Sequence, residues 1–160
     1  MYEIKAIQTY YKGQVFRSRI EAKWAVFFDL MSIKWIYEPD GFELSTGKYL
    51  PDFFLPEYDC FVEIKPFYKK DDKQVKIWIN KGEEVARLTN KAFLFLFGNP
   101  NLLPTMLLNP ECDCNVLPFS NKYKDRFGFW FYTGEDIGGD DDFIHEHFLS
   151  EITQANSYQF

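Results

Sequence analysis

Two carboxylates and one lysine are spaced in this chain as a divalent cation and a phosphate group would require. Residues 49–66 read Tyr-Leu-Pro-Asp-Phe-Phe-Leu-Pro-Glu-Tyr-Asp-Cys-Phe-Val-Glu-Ile-Lys-Pro. Two apolar runs with strand character carry Asp52 on the first and Glu63 with Lys65 on the second. The reversal Pro56-Glu57-Tyr58-Asp59 can bring the three together. Mg²⁺ takes oxygen ligands, keeps several waters and is usually held by one or two carboxylates, with substrate phosphate completing its shell. Strand periodicity sets Glu63 and Lys65 on one face and Val62 and Ile64 on the other. Lys65 then points where the ion and its water sit, placed to stabilise an attacking hydroxide or the charge developing on phosphorus. The competing structural reading is ordinary alternating charge on a half-exposed strand, since Glu-x-Lys alone is common.

Pro51-Asp52, ten residues, then Glu63-Ile64-Lys65 resembles the motif of the PD-(D/E)xK nuclease superfamily. The resemblance implies that Asp52 and Glu63 bind the metal, that the Ile64 carbonyl adds a neutral oxygen, and that Lys65 is catalytic. It also implies a further carboxylate on the first core helix, a position that Glu21 matches within the amphipathic stretch Phe16–Phe28. Ser18-x-x-Glu21 before an apolar run is equally a capping box, which competes for the same carboxylate. The order of helix and strands favours the metal site. Arg17 to Ala25, Lys34 to Pro39, the Tyr-Leu-Pro-Asp segment and Phe97-Gly98-Asn99-Pro100 together resemble a family of small phage and prophage nuclease-like proteins, over residues 14–100.

What that resemblance implies is a Mg²⁺- or Mn²⁺-dependent deoxyribonuclease, an endonuclease acting in a host or bacterial cytoplasm. Its partner is nucleic acid, most readily DNA, and symmetric duplex cutting makes a homodimer a candidate state. Two alternatives stand beside it. One is a nucleic-acid-binding or assembly module on the same fold without cleavage, and the other is a phage protein acting on a host protein. Substrate form (duplex, branched, nicked or single-stranded DNA, or RNA) is not legible.

The elements that must position the site follow from periodicity. A helix is expected over residues 18–31, with Ile20, Trp24, Phe27 and Met31 on one side. Short strands are expected at 33–37 and 42–44, joined through Pro39-Asp40-Gly41. A hairpin of 49–55 with 60–65 carries the site. Asp72 can cap a second helix running to about Leu88, with Val75, Trp78, Val85 and Leu88 inward. Phe93–Phe97 reads as a strand buried on both faces. The expected fold class is α/β: a restriction-endonuclease-like core of helix, mixed central sheet, helix and strand over residues 1–100. A C-terminal β/acidic extension, 101–160, would pack on the same domain. In it, 101–118 read as loop, Phe127–Tyr132 as an added, buried strand, and 135–142 as an acidic segment.

Charge divides along the same boundary. Residues 1–100 hold 15 Lys/Arg and 14 Asp/Glu, a net of +1, whereas 101–160 hold 3 and 10, a net of −7. A globally basic surface is therefore excluded as the means of holding a phosphate backbone. Arg17, Arg19, Lys23, Lys69, Lys70, Lys73 and Lys76 lie near the site in sequence and are the candidate nucleic-acid contacts. The acidic segment reads as a solvated tail, a competitor for the basic face, or a contact for a basic protein partner. Three cysteines make no secreted disulfide framework. Cys112-Asp-Cys114 is too closely spaced for the usual zinc half-site, and Cys60, His145 and His147 do not complete one. No apolar run approaches the roughly 18 residues of a span, and the first residues lack a signal-peptide pattern, so a soluble, cytoplasmic protein without a membrane partner is expected.

Overall fold

The computed structural model describes residues 6–67, 72–100, 105–108 (backbone) and 150–160. Among the described residues the chain is mixed α/β, built on a mixed five-stranded sheet. It opens with a hairpin of β1 (Thr9–Tyr11) and β2 (Gln14–Phe16). Lys12 and Gly13 both take positive φ, 46° and 83°, the backbone of a tight hairpin turn whose twist matches its strands. Helix α1 (Arg19–Leu30) follows, capped by Ser18, whose hydroxyl accepts from the Glu21 amide. The side expected to be apolar is found, with Trp24 and Phe27 buried and Ile20 and Met31 packed against the same cluster. Ala22, Ala25, Val26 and Phe28 are buried as well and widen that side. Tyr11 and Phe16 from the hairpin, and Ile152 and Ala155 from the helical residues 150–157, complete the same apolar cluster.

Strand β3 (Ile36–Tyr37) pairs with β6 (Phe53–Leu55), and β4 (Phe42–Leu44) pairs with β5 (Gly47–Tyr49) in a separate ribbon. The two short strands expected on either side of Pro39-Asp40-Gly41 are thus present but are not partners. The single strand expected over 49–55 is broken at Leu50-Pro51-Asp52. Pro51 has no N–H to give a ladder, and the Asp52 carbonyl accepts from the Glu38 amide at 2.8 Å.

A 3₁₀ turn (Pro56–Tyr58), ending at Asp59 with φ of 52°, reverses the chain into β7 (Cys60–Lys65). Strands β6 and β7 are antiparallel, with Phe53 opposite Val62. Helix α2 (Lys73–Thr89), capped by Asp72, then crosses over to β8 (Ala92–Phe97), which runs parallel to β7. A parallel pair requires such a crossover. Val75 and Val85 face inward and Trp78 is partly buried, as expected, but Leu88 is 61% exposed. Thirteen residues at about 100° each turn Leu88 roughly 140° away from Val75, and Ala86 and Gly82 fill the inward stripe instead.

The sheet separates two apolar layers. Leu94 and Leu96 of β8 and Val62 and Ile64 of β7 face α1, whereas Phe93, Phe95, Phe97 and Phe61 face α2. The Phe-Leu alternation of β8 is therefore a two-sided core in a single strand. The last strand among the described residues, β9 (Thr105–Leu108), pairs antiparallel with β8 inside the segment expected to be loop. Without it, the open edge of β8 would leave backbone groups to be satisfied another way. The expected strand at 127–132, the acidic segment 135–142, Cys112, Cys114, His145 and His147 lie outside the described residues. Among the described residues no helix is long and apolar enough to cross a membrane.

Candidate active site

Asp52 stands one residue before β6, whose first residue Phe53 pairs with Val62, the residue before Glu63. The Asp52 carboxylate folds across the strand end and accepts from the Ile64 amide at 2.7 Å. Glu63 is only 4% exposed. Its Oε1 is paired with the Lys65 ammonium, two residues along the same face. Its Oε2 is buried without a hydrogen-bond partner. Lys65 Nζ also lies 5.2 Å from the centre of the Trp78 ring on α2. The structure therefore gathers Asp52, Glu63 and Lys65 at one end of adjoining strands, with Val62 and Ile64 facing the opposite layer as expected.

Glu21 reaches the same region from the first turn of α1. It is 9% exposed, and both of its oxygens accept from hydroxyls, Ser18 Oγ at 2.6 Å and Tyr37 Oη at 2.5 Å. The competition between cap and site resolves into parts. Ser18 does cap the Glu21 amide, at 3.2 Å, but the Glu21 carboxylate is given to two hydroxyls rather than to the Ser18 backbone.

The Asp52 carboxylate senses the other two. Burial comes first among the causes that hold the Asp52 carboxyl well above the usual carboxylate range; the charges of Glu63 and then Glu21 follow, opposed by the Ile64 amide and Lys65. Tyr49, at the end of β5, is pushed up by burial and by the Glu63 and Asp52 charges. Its hydroxyl is buried against Glu63 without a hydrogen bond of ordinary geometry. Burying charge that lacks a full set of partners is expensive, and a cation among these oxygens would relieve that cost.

Among the described residues no three His, Cys, Asp or Glu side chains form a metal cluster. An Mg²⁺ site needs only one or two carboxylates. Asp52 and Glu63 are two such carboxylates, and Glu63 Oε2 is an acceptor without a hydrogen bond of ordinary geometry.

The candidate cationic contacts are scattered more widely. Arg17 forms an ion pair with Glu38 through Nε, so part of its guanidinium is engaged. Arg19 and Lys23 are four apart and share a face of α1, while Glu21, two residues from each, is turned elsewhere. Lys73 and Lys76 are exposed in the first turn of α2, where there is no acidic side chain. Lys69 and Lys70 lie outside the described residues. Periodicity assigns Trp78 only to the inward side of α2 and gives Tyr37 and Tyr49 no site role. Tyr37 and Tyr49 sit in aromatic-rich stretches whose pattern suggests only core, and nothing local distinguishes a phenol aimed at a carboxylate from one that merely packs.

Comparison of the chain with protein-family models, with curated proteins and with solved structures returned no match.

Proposed function

We propose that this protein is a divalent-metal-dependent nuclease of PD-(D/E)xK type, hydrolysing phosphodiester bonds in DNA, and that its sheet with α1 and α2 on opposite faces is a restriction-endonuclease-like core. The observation that carries this reading is the meeting of Asp52, Glu63 and Lys65 at one strand end, with a buried Glu63 oxygen that lacks a hydrogen bond of ordinary geometry. Asp52 and Glu63 would hold Mg²⁺ or Mn²⁺, with Glu21 as a further ligand or a water-orienting group. When bound, the ion would supply Lewis-acid polarisation of the phosphate and a more acidic water. Lys65 would stabilise negative charge on the phosphoryl oxygens as water adds to phosphorus and the ester P–O bond breaks.

Two further features support a polyanionic substrate. Lys73 and Lys76 occupy the N-terminal turn of α2, where the helix dipole already disfavours cations. Both lie on the helix that carries Trp78, whose ring stands beside Lys65. The net charge over residues 1–100 is +1, so the part of the chain that carries the site is not itself acidic.

A cleavage panel of duplex, branched, nicked and single-stranded DNA and of RNA, each with Mg²⁺, Mn²⁺ or EDTA, tests the reading. Cleavage with either metal and none in EDTA is expected. Binding without cleavage under every condition would replace the enzyme by a nucleic-acid-binding module, and absence of binding would point to a protein partner.

A further inference from the structure

The two residues Tyr37 and Glu38 grip both sides of the acidic cluster. The Tyr37 hydroxyl donates to Glu21 Oε2 at 2.5 Å, and the Glu38 amide donates to the Asp52 carbonyl at 2.8 Å. One dipeptide thus ties the helix carboxylate to the segment that carries the strand carboxylate. The phenol itself is fixed. Its oxygen accepts from the Arg17 amide at 3.0 Å, and its ring packs 4.5 Å from Phe16 and 5.4 Å from Phe53 between centroids. Tyr37 is also the register partner of Phe53, the residue after Asp52. Glu38 holds a left-handed φ of 44°. That conformation is uncommon for a residue with a side chain, and the Arg17–Glu38 ion pair spans it.

We propose that Tyr37 is a positioning residue, which sets the Glu21 carboxylate in register with Asp52 and Glu63 through strand β3; this rests on the nuclease reading above. Ser18, the other hydroxyl on Glu21, belongs to the same helix and cannot report where the sheet lies. Tyr37 comes from the sheet and can. Groups that hydrogen-bond to metal-binding carboxylates from outside typically contribute about 10- to 100-fold to metal affinity, which is the effect assigned to this phenol.

The test is calorimetric titration of the full chain with Mn²⁺ alone, with melting in EDTA as the control for folding. Tyr37→Phe should weaken Mn²⁺ binding by about 10- to 100-fold, and should weaken it more than Ser18→Ala does. A purely structural role predicts a Mn²⁺ loss for Tyr37→Phe no larger than for Ser18→Ala, each following that variant's fall in melting temperature. On a Glu21→Gln background, Tyr37→Phe should change Mn²⁺ affinity by less than about threefold, since the coupling partner is gone.

Equal Mn²⁺ affinity in wild type and Tyr37→Phe overturns the assignment. So does a loss that persists undiminished without Glu21, and so does a Tyr37→Phe chain already unfolded in EDTA at room temperature. A wild-type chain that binds no Mn²⁺ removes the assignment together with the nuclease reading, an outcome distinct from the others.

Discussion

Lys65 is held from two sides, by Glu63 and by the Trp78 ring, and that restraint suits a charge meant for one point on a substrate. Lys65→Ala should lower the Mg²⁺-supported cleavage rate by about a hundredfold or more, the scale of removing one electrostatic stabiliser. Nucleic-acid affinity in Ca²⁺ should change little. If affinity fell instead, with a salt dependence weaker by about one ion, Lys65 would be a phosphate contact only. Asp52 gives a second prediction, through pH. Its carboxyl is raised above the ordinary value of 3.8 in the folded chain by burial and by Glu63 and Glu21. The folded state therefore binds a proton more tightly than the unfolded state, and Asp52 destabilises the fold increasingly as pH rises from about 4 through the raised value. In EDTA, Asp52→Asn should melt higher than wild type at neutral pH, and the difference should vanish as pH falls below about 4. A constant difference across that range would mean that the carboxyl is not perturbed. The acid-and-lysine trio was legible because its chemistry lies in residue type and spacing. Tyr37 and Tyr49 were not, because a phenol's partner is fixed by tertiary packing.

At the scale of elements, the helix α1, the β6–β7 hairpin, α2 and β8 follow closely from periodicity and caps. Their signals are local: Ser18 and Asp72 at helix starts, Pro56 at the reversal, and Phe-Leu alternation in β8. The pairing of β3 with β6 rather than with β4 was not legible. It depends on which edge β6 leaves open, and no pattern within 33–44 encodes that. The break at Pro51-Asp52 was legible in principle, since a proline in the middle of an expected strand argues against continuity. Gly82 offers a test of the α2 face. A Cβ there would stand 2.7 Å from Phe95 Cε2 and 2.9 Å from Phe93 Cδ1. Gly82→Ala should therefore destabilise by about 1–3 kcal/mol through overpacking, despite the better helix propensity of alanine. A rise in denaturation midpoint would show that α2 does not approach the sheet this closely.

For the whole molecule, the described C-terminal residues belong to the core rather than to a detached tail. Ile152 and Ala155 are buried in the α1 layer, Tyr158 packs edge-on to Tyr11 at 5.3 Å, and the Asn156 amide donates to the Pro100 carbonyl at 2.6 Å. Deleting residues 150–160 should lower the melting temperature in EDTA and expose apolar surface to a dye such as ANS, and an unchanged melting curve would contradict this packing. The central claim is that the strand-end carboxylates make a metal-dependent hydrolytic site, and it is tested most directly by cleavage rates of wild type and Asp52→Asn on the same DNA. With Mg²⁺ or Mn²⁺, wild type should cut and EDTA should abolish cutting. Asp52→Asn should lose at least about a hundredfold in rate while melting at least as high as wild type in EDTA. Metal-independent cutting, or an Asp52→Asn protein as active as wild type, would contradict the account.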